Sequence, residues 1–153
     1  LTKELGKVTA IDTSEEMLKI AHSKNPRANC IPGDMFDIPF NQNTFDKVVT
    51  MRVWNHLNRF DLIKAIRESK RVLKKNGWLI FDAEEKSFLR RFVSFFYQKI
   101  FRITGYKIYQ YSFPELNEIL KKEGFRIEKG RFLAHKVGRQ IILRCVLVSK
   151  EAK

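Results

Sequence analysis

Acidic side chains stand at the ends of three of the four short apolar segments in the first half of the sequence. Asp12 closes the first segment, Asp34 follows the second, and Asp82 stands near the end of the fourth. A carboxylate accepts strong hydrogen bonds from hydroxyl and amine groups. If the segments are parallel strands, these acids lie beyond the carboxyl ends of the strands, where open α/β sheets bind ligands. The pattern favours a nucleotide-type ligand, with an Asp that only caps a helix as the alternative.

The second of these acids has an apolar context. Asp34 follows Gly33 and precedes Met35 and Phe36. A carboxylate beside flat apolar side chains suits an adenine ring, because the carboxylate accepts from the exocyclic amine while the side chains cover the ring. An ordinary Gly-Asp turn is the alternative for this segment.

Alternating strands and helices must position these acids. Thr13 and Glu16 have the spacing of a capping box, which predicts the start of the first helix, and Asn76 with Gly77 predicts the end of the second. We expect strands at 7–11, 28–32, 45–51 and 78–83, and helices at 14–24 and 59–75. This order predicts a parallel sheet with crossover helices.

The second half of the sequence has a different character. Residues 86–103 are basic and aromatic, and they predict a helix with one polar face. A short helix is expected at 114–123. Two strands at 125–132 and 140–149, joined by a turn at 136–139, predict a closing antiparallel hairpin.

The composition excludes several classes of protein. A chain of 153 residues with 44% hydrophobic residues is long enough to bury a core and is not a disordered tail, so we expect one domain. Two Cys exclude a disulfide scaffold, and His22, His56 and His135 have no partner at metal-ligand spacing, so no metal is expected. No apolar run approaches the roughly 20 residues that span a bilayer, which favours a cytoplasmic protein.

The charge balance is strongly basic. Thirty Lys and Arg against seventeen Asp and Glu give a formal net charge of +13. Such a chain attracts the phosphates of nucleic acid, of anionic lipid or of a charged substrate, although a basic surface without a partner fits the same numbers. The basic aromatic residues 86–103 make an anionic membrane surface one expected partner, and nucleic acid is a less favoured one.

Five segments, in this order along the chain, carry a resemblance to a known family. Residues 8–18 (VTAIDTSEEML) resemble the second-strand region of class I S-adenosylmethionine-dependent methyltransferases, and 33–40 (GDMFDIPF) resemble their adenine-binding segment. Residues 43–49, 71–79 and 120–125 are similar to the next strand, to the helix-to-fifth-strand signature and to the Gly-Phe pair before the final hairpin. The subgroup that includes the ubiquinone and menaquinone methyltransferases is the most similar.

The resemblance implies an α/β Rossmann-like sheet, mostly parallel with a C-terminal antiparallel hairpin. It also implies methyl transfer from S-adenosylmethionine to a small or lipophilic molecule. By position, Asp12 would hold the ribose hydroxyls of this cofactor and Asp34 the adenine amine. The other implied cofactor contacts are Thr13, Met17, Met35, Met51 and Arg52. Arg52 departs from the family, in which a small or polar residue is usual, so it is also a candidate for serving the substrate.

The same resemblance makes residues 86–111 a substrate-recognition insertion, here basic and aromatic, that acts as a lid. The candidate substrate contacts are His56, Asp82, Phe92 and Phe96. Methyl transfer is an in-line displacement that depends on proximity and orientation, and it needs a general base only if the acceptor must lose a proton. No catalytic residue is therefore assigned.

The family's Gly-rich loop, which follows its first strand, has no counterpart in the sequence. We therefore expect residues 1–153 to form a partial methyltransferase domain that lacks the first strand and this loop. The alternative function is a non-catalytic binding module for nucleic acid or an anionic membrane surface, built on a degenerate methyltransferase fold.

Overall fold

The chain forms two compact units, Leu1–Asn41 and Gln42–Lys153. The structure, a computed structural model, describes residues 6–85, 108–135 and 138–148. The first unit is a parallel β-α-β motif made of β1 (Thr9–Asp12), α1 (Glu15–Lys24) and β2 (Asn29–Pro32). Because β1 and β2 run in the same direction, their carboxyl ends lie at one edge of this small sheet.

The start of α1 differs from the prediction. Ser14 is the cap, since its Oγ accepts a hydrogen bond from the amide of Met17 at 3.3 Å, so the capping box expected from Thr13 and Glu16 is wrong. Asp12 explains the shift, because its carboxylate accepts from the Ser14 amide at 2.9 Å and places the turn one residue later. Acidic residues then occupy the first turn of the helix, where the helix dipole favours them.

The second unit is a mixed α/β sheet. In chain order its elements are β3 (Phe45–Thr50), a 3-10 turn (Trp54–His56), α2 (Arg59–Val72), β4 (Leu73–Glu85), β5 (Gln110–Tyr111), α3 (Phe113–Lys122), β6 (Phe125–His135) and β7 (Gly138–Leu147). The strand order is β3-β4-β7-β6, and β5 pairs with the end of β4. β3, β4 and β5 are parallel, whereas β7 is antiparallel to both β4 and β6. This sheet with its C-terminal hairpin confirms the predicted Rossmann-like class.

The second long helix is shorter than predicted. α2 ends at Val72 and β4 begins at once with Leu73, so the helical turn expected up to the Asn-Gly pair is wrong. A tight bend near the start of β4 is the cause. A Cβ atom on Gly77 would lie 2.8 Å from the carbonyl oxygen of Lys74, and Asn76 has a left-handed φ of 59°. Glycine and asparagine are the residues that tolerate such a bend.

The core of the second unit lies against one face of its sheet. Alternate residues of β4 are fully buried on this face, among them Leu79 and Phe81. Each of the two helices contributes an apolar stripe at helical spacing. The buried helix residues are Leu62, Ala65, Ile66, Ser69 and Val72 of α2 and Leu116, Ile119 and Leu120 of α3.

An ion pair joins the two helices at the surface. The guanidinium of Arg67 donates two hydrogen bonds to the Glu123 carboxylate, at 2.8 and 3.0 Å, which raises the pKa of Arg67. Lys70 Nζ donates to the backbone carbonyl of Glu123 at 2.8 Å. This geometry fixes the orientation of α2 towards the end of α3, although an exposed pair adds little stability.

Two predicted elements involve residues outside the described ranges. The helix expected at 86–103 falls entirely among residues 86–107, and the turn expected at 136–139 contains residues 136–137. In the part of the chain that is described, no helix has the length and apolar character needed to cross a bilayer.

The start of α3 offers a test of local stability. Ser112 forms a complete capping box with Glu115, whose carboxylate accepts from the Ser112 amide at 2.8 Å. We expect Ser112→Ala to lower the free energy of unfolding by about 1 kcal/mol, measured by urea unfolding followed by circular dichroism. Ser23→Ala, at an exposed position of α1, is the control and should change it by less than about 0.5 kcal/mol. An equal loss in both variants would contradict the role of the cap.

Candidate functional site

Two aspartates at the carboxyl edge of the β1–β2 sheet share one local geometry. Asp12 Oδ1 accepts from the amide of Ser14 at 2.9 Å, and Asp34 Oδ1 accepts from the amide of Phe36 at 2.8 Å. Both are Asx turns, in which an Asp side chain bonds the backbone two residues later. Each turn fixes the carboxylate through one oxygen, and Oδ2 accepts no hydrogen bond from the described residues.

Backbone contacts hold the two turns at the same edge. The amide of Gly33 donates to the carbonyl of Asp12 at 3.1 Å, which continues the pairing beyond the end of β2. The amide of Asp37 donates to the carbonyl of Asp34 at 3.1 Å and closes the following loop. A Cβ atom on Gly33 would lie 3.1 Å from Cδ of Pro39, so a larger residue would push this loop away from the strand. The position of Asp34 therefore depends on glycine at 33.

The residues beside these carboxylates give the site an apolar side. Met35 and Phe36 are half-buried, Thr13 is exposed, and Met17 is 52% exposed. A free carboxylate oxygen on Asp34 thus adjoins a partly buried thioether and ring. Such a site can bind a ligand that carries hydroxyl or amine donors on a flat apolar body.

A buried carboxylate holds the turn after β3. Asp82 is 1% exposed; its Oδ1 accepts from the amide of Arg52 at 2.6 Å, and its Oδ2 accepts from the side-chain amide of Gln140. Arg52 has a φ of 62°, a left-handed conformation that costs free energy for a residue with a Cβ. The charge-assisted hydrogen bond that the Arg52 amide donates to Asp82 offsets this cost. Because Asp82 is buried and bonded to the Arg52 amide, the geometry favours a positioning role for it, and its predicted contact with a substrate stays a prediction.

The chain that returns after residues 86–107 is anchored to the same turn. The amide of Tyr109 donates to the carbonyl of Asn55 at 2.7 Å, and the hydroxyl of Tyr111 donates to the carbonyl of Leu57 at 2.7 Å. Burial raises the pKa of Tyr111 to about 12, so this hydroxyl remains a donor at every physiological pH. The end of the predicted substrate insertion is therefore fixed beside His56.

The turn itself is packed by an aromatic pair. The ring of Trp54 is 3% exposed, and its centroid lies 4.7 Å from that of Phe81, at an interplanar angle of 40°. Met51 and Arg52 are exposed before it, and His56 is half-buried at its end. The turn thus presents a thioether, a cation and an imidazole on a rigid support.

The predicted site residues fall into two groups in the structure. The first unit holds Asp12, Thr13, Met17, Asp34 and Met35, and the second holds Met51, Arg52, His56 and Asp82. Phe92 and Phe96, predicted as substrate contacts, lie outside the described residues. Among the residues that are described, no three His, Cys, Asp or Glu side chains come together as a metal ion would require.

Sequence reasoning missed three residues that shape the second group. Gln140 is far from Asp82 in the sequence, so no local pattern could reveal their contact. Tyr111 is one of several aromatic residues in 86–111, and the sequence pattern does not distinguish its buried hydroxyl from the others. Asn58 caps α2 by accepting from two amides of its first turn, and an Asn directly before an apolar periodic run was a readable signal.

Solved structures that are similar to this chain include several methyltransferases. An S-adenosylmethionine-dependent methyltransferase of Methanosarcina mazei has a TM-score of 0.78 at 17% identity, covering 93% of this chain and 82% of that one. Magnesium protoporphyrin IX methyltransferase of Synechocystis, solved with bound SAH, has a TM-score of 0.74 at 20% identity, covering 92% and 64%. The fold is therefore that of the class I S-adenosylmethionine-dependent methyltransferases.

Similarity of sequence defines the family. Residues 1–81 match the family described as a methyltransferase domain, so the chain belongs to that family. An uncharacterized protein of Methanocaldococcus jannaschii is 30% identical over 145 residues, which cover 82% of this chain and 57% of that protein. Demethylmenaquinone methyltransferase of Thermotoga maritima is 28% identical over 139 residues, which cover 78% and 60%. The chain spans little more than half the length of these relatives.

The strained turn at Arg52 generates a stability prediction. We expect Arg52→Gly to raise the free energy of unfolding by about 1 kcal/mol, because glycine adopts a positive φ without steric cost. Asp82→Ala should lower it by about 3 kcal/mol, since the backbone amide of Arg52 and the side-chain amide of Gln140 both lose their acceptor. Urea unfolding of each variant measures both changes.

Asn76→Gly is the matched control for Arg52→Gly. Asn76 also has a positive φ, but asparagine tolerates this conformation better than arginine. The control should change the free energy of unfolding by less than about 0.5 kcal/mol. A loss of stability in Arg52→Gly would show that the turn is not strained.

Proposed function

We propose that this protein is an S-adenosylmethionine-dependent methyltransferase whose acceptor is a small or lipophilic molecule. The observation that carries the proposal is the pair of Asx turns at Asp12 and Asp34, each with a carboxylate oxygen left for a ligand. The cofactor offers ribose hydroxyls and an adenine amine as donors. The chain offers two charged acceptors with the half-buried Met35 beside one of them, so the two sets match.

In this proposal each residue of the first unit has a distinct role. Asp12 binds the ribose hydroxyls, and its half-buried position strengthens such hydrogen bonds relative to water. Asp34 binds the adenine amine, and Met35 lies against the ring. Thr13 and Met17 are exposed next to Asp12 and cover the other side of the adenosine.

The residues after β3 are proposed to serve the reaction itself. When bound, the cofactor supplies an electrophilic methyl group on a positively charged sulfur. The chain orients the acceptor towards that group and excludes water, which can supply most of the rate enhancement. Met51 serves the methionine end, whereas Arg52 faces the acceptor, because a cation beside a sulfonium is unfavourable. His56 accepts a proton from an acceptor that must lose one.

The names of similar proteins support the acceptor class. One relative is a demethylmenaquinone methyltransferase, and one structural neighbour is a magnesium protoporphyrin IX methyltransferase. Both names favour an organic molecule over a macromolecule as the acceptor. In our proposal, residues 86–111 form the contact with this acceptor, and the protein acts in the cytoplasm, at a membrane surface when the acceptor is lipophilic.

Asparagine substitutions test the cofactor site. Asparagine keeps the oxygen that forms the Asx turn, but it removes the charge and replaces the free acceptor by a donor. We expect Asp12→Asn and Asp34→Asn each to weaken binding of S-adenosylmethionine by about 10-fold to 100-fold, as the loss of a charge-assisted hydrogen bond of about 1.5–3 kcal/mol implies. Isothermal titration calorimetry of the full chain measures the Kd.

Asp37→Asn is the matched control, with the same change of charge at an exposed position of the same loop. Its Kd should equal that of the parent, and circular dichroism of each variant verifies the fold before titration. Equal affinity in the parent and all three variants would overturn the site. Equal losses in the three variants would assign the effect to net charge.

A further inference from the structure

Side chains alternate between the two faces of a sheet, and in the second unit Leu79 and Phe81 project to the core face. The opposite face carries the side chains at the alternate positions. Residues directly paired across strands project to the same side of a sheet. Four rows follow from the register: Lys47–Trp78–Val146–Arg126, then Val49–Ile80–Arg144–Lys129, then Asp82–Ile142–Arg131, then Glu84–Gln140–Leu133. We call the set of Lys47, Trp78, Arg126, Lys129, Arg131 and Arg144 the basic face.

A tryptophan organises two of these cations. Lys47 Nζ lies 5.0 Å from the centroid of the Trp78 ring, and the guanidinium carbon of Arg144 lies 4.7 Å from it. The two cations come from β3 and β7, the strands on either side of β4. Cation–π attraction therefore holds them next to a half-buried ring and gives the face a flat centre.

The cations of this face exceed the acids beside them. Arg126, Lys129 and Arg131 are exposed, and within the described ranges none of them forms an ion pair. Glu128 lies 3.4 Å from Arg144, and the carboxylate of Asp82 is buried and already bonded. Glu84 is half-buried in the last row of the face, at the end of β4. The face thus has uncompensated positive charge, in a chain whose net charge is +13.

We propose that the basic face binds single-stranded nucleic acid. The exposed cations attract phosphates without regard to base sequence. The Arg144 guanidinium, which the Trp78 ring holds in place, supplies a planar surface on which a base can stack, as guanidinium planes do in proteins that bind single strands. An anionic membrane fits less well, because several apolar side chains must enter the headgroup region. Of the apolar residues in these rows that belong to β3, β4 and β7, Val49 is 58% exposed, Ile80 and Ile142 are half-buried, and Val146 is buried.

Within the second unit, this surface is separate from the turn that carries Arg52 and His56. Trp78 precedes Asp82 by four positions on β4, which is about 13 Å along an extended strand. Trp78 and its neighbour Lys47 therefore lie away from Asp82, and Arg131, although level with Asp82, lies two strands away on β6. Arg52 and His56 belong to the turn beyond the end of β3. Substitutions on the face are expected to leave cofactor binding unchanged.

Fluorescence anisotropy with a fluorescein-labelled 12-nucleotide oligouridylate, at several salt concentrations, tests the charge. We expect the double variant Lys129→Gln/Arg131→Gln to reduce the slope of log affinity against log salt by about 1.4, since each phosphate contact to a single strand contributes about 0.7. Lys19→Gln/Lys121→Gln removes the same charge from exposed positions on two helices, and it should leave the slope unchanged.

Substitution of the tryptophan tests the stacking. We expect Trp78→Ala to weaken binding of the oligouridylate by about tenfold, and Trp78→Phe, which keeps a ring, to weaken it by about threefold or less. Circular dichroism and the unaltered fluorescence of the buried Trp54 verify that the sheet is intact. Equal affinity of Trp78→Ala and the parent would overturn the stacking role.

Three results would overturn the proposal as a whole. One is a parent chain that does not bind the oligouridylate at low salt. Another is an equal loss in the two double variants, which would assign binding to net charge alone. The last is cosedimentation with phosphatidylglycerol vesicles that depends on Lys129 and Arg131 while the oligouridylate does not bind. Titration of S-adenosylmethionine into the Lys129→Gln/Arg131→Gln variant keeps a failure here distinguishable from a failure of the proposed methyltransferase site.

Discussion

The carboxylate of Asp82, on β4 of the second unit, is buried. Both of its oxygens accept hydrogen bonds from groups that are distant in the sequence. A buried charge costs several kcal/mol unless its hydrogen bonds are complete. One bond ties β4 to the turn after β3, and the other ties β4 to β7 through Gln140. The backbone of Arg52 can therefore remain left-handed, and the turn that carries His56 starts from a fixed point.

The three aspartates at strand ends show how one residue type serves two purposes. Asp82 uses both carboxylate oxygens within the protein and is withdrawn from solvent. Asp12 and Asp34 each use one oxygen for a local turn and keep the other available within the described structure. The local turn fixes the carboxylate before any ligand arrives, which lowers the entropy lost on binding. The number of internal hydrogen bonds, and not the residue type, separates the buried Asp82 from the two aspartates that we propose as cofactor ligands.

Periodicity and turn chemistry predicted the strand and helix order, because these signals are local. The Asx turns place Asp12 and Asp34 at the strand edge that the sequence indicated. Where prediction failed, a contact outside the local pattern decided the outcome. The Asp12 side chain moved the cap of α1 to Ser14, and the bend at Gly77 ended α2 early. The bond from Gln140 to Asp82 joins residues 58 positions apart, which no spacing rule encodes.

The pairing of β5 with the end of β4 has a consequence for how this protein can change. β4 ends at Glu85, and the chain returns at Gln110–Tyr111 to pair with Glu84 and Glu85 of the same strand. The two ends of the intervening segment therefore lie about one strand spacing apart, roughly 4.8 Å. The entropy cost of closing a loop grows only slowly with its length. The pairing of β5 with β4 can therefore accept connecting segments of different lengths at a similar cost. Evolution or a protein engineer can therefore exchange the inserted segment for a longer or shorter one while the pairing of β4 with its neighbouring strands stays the same.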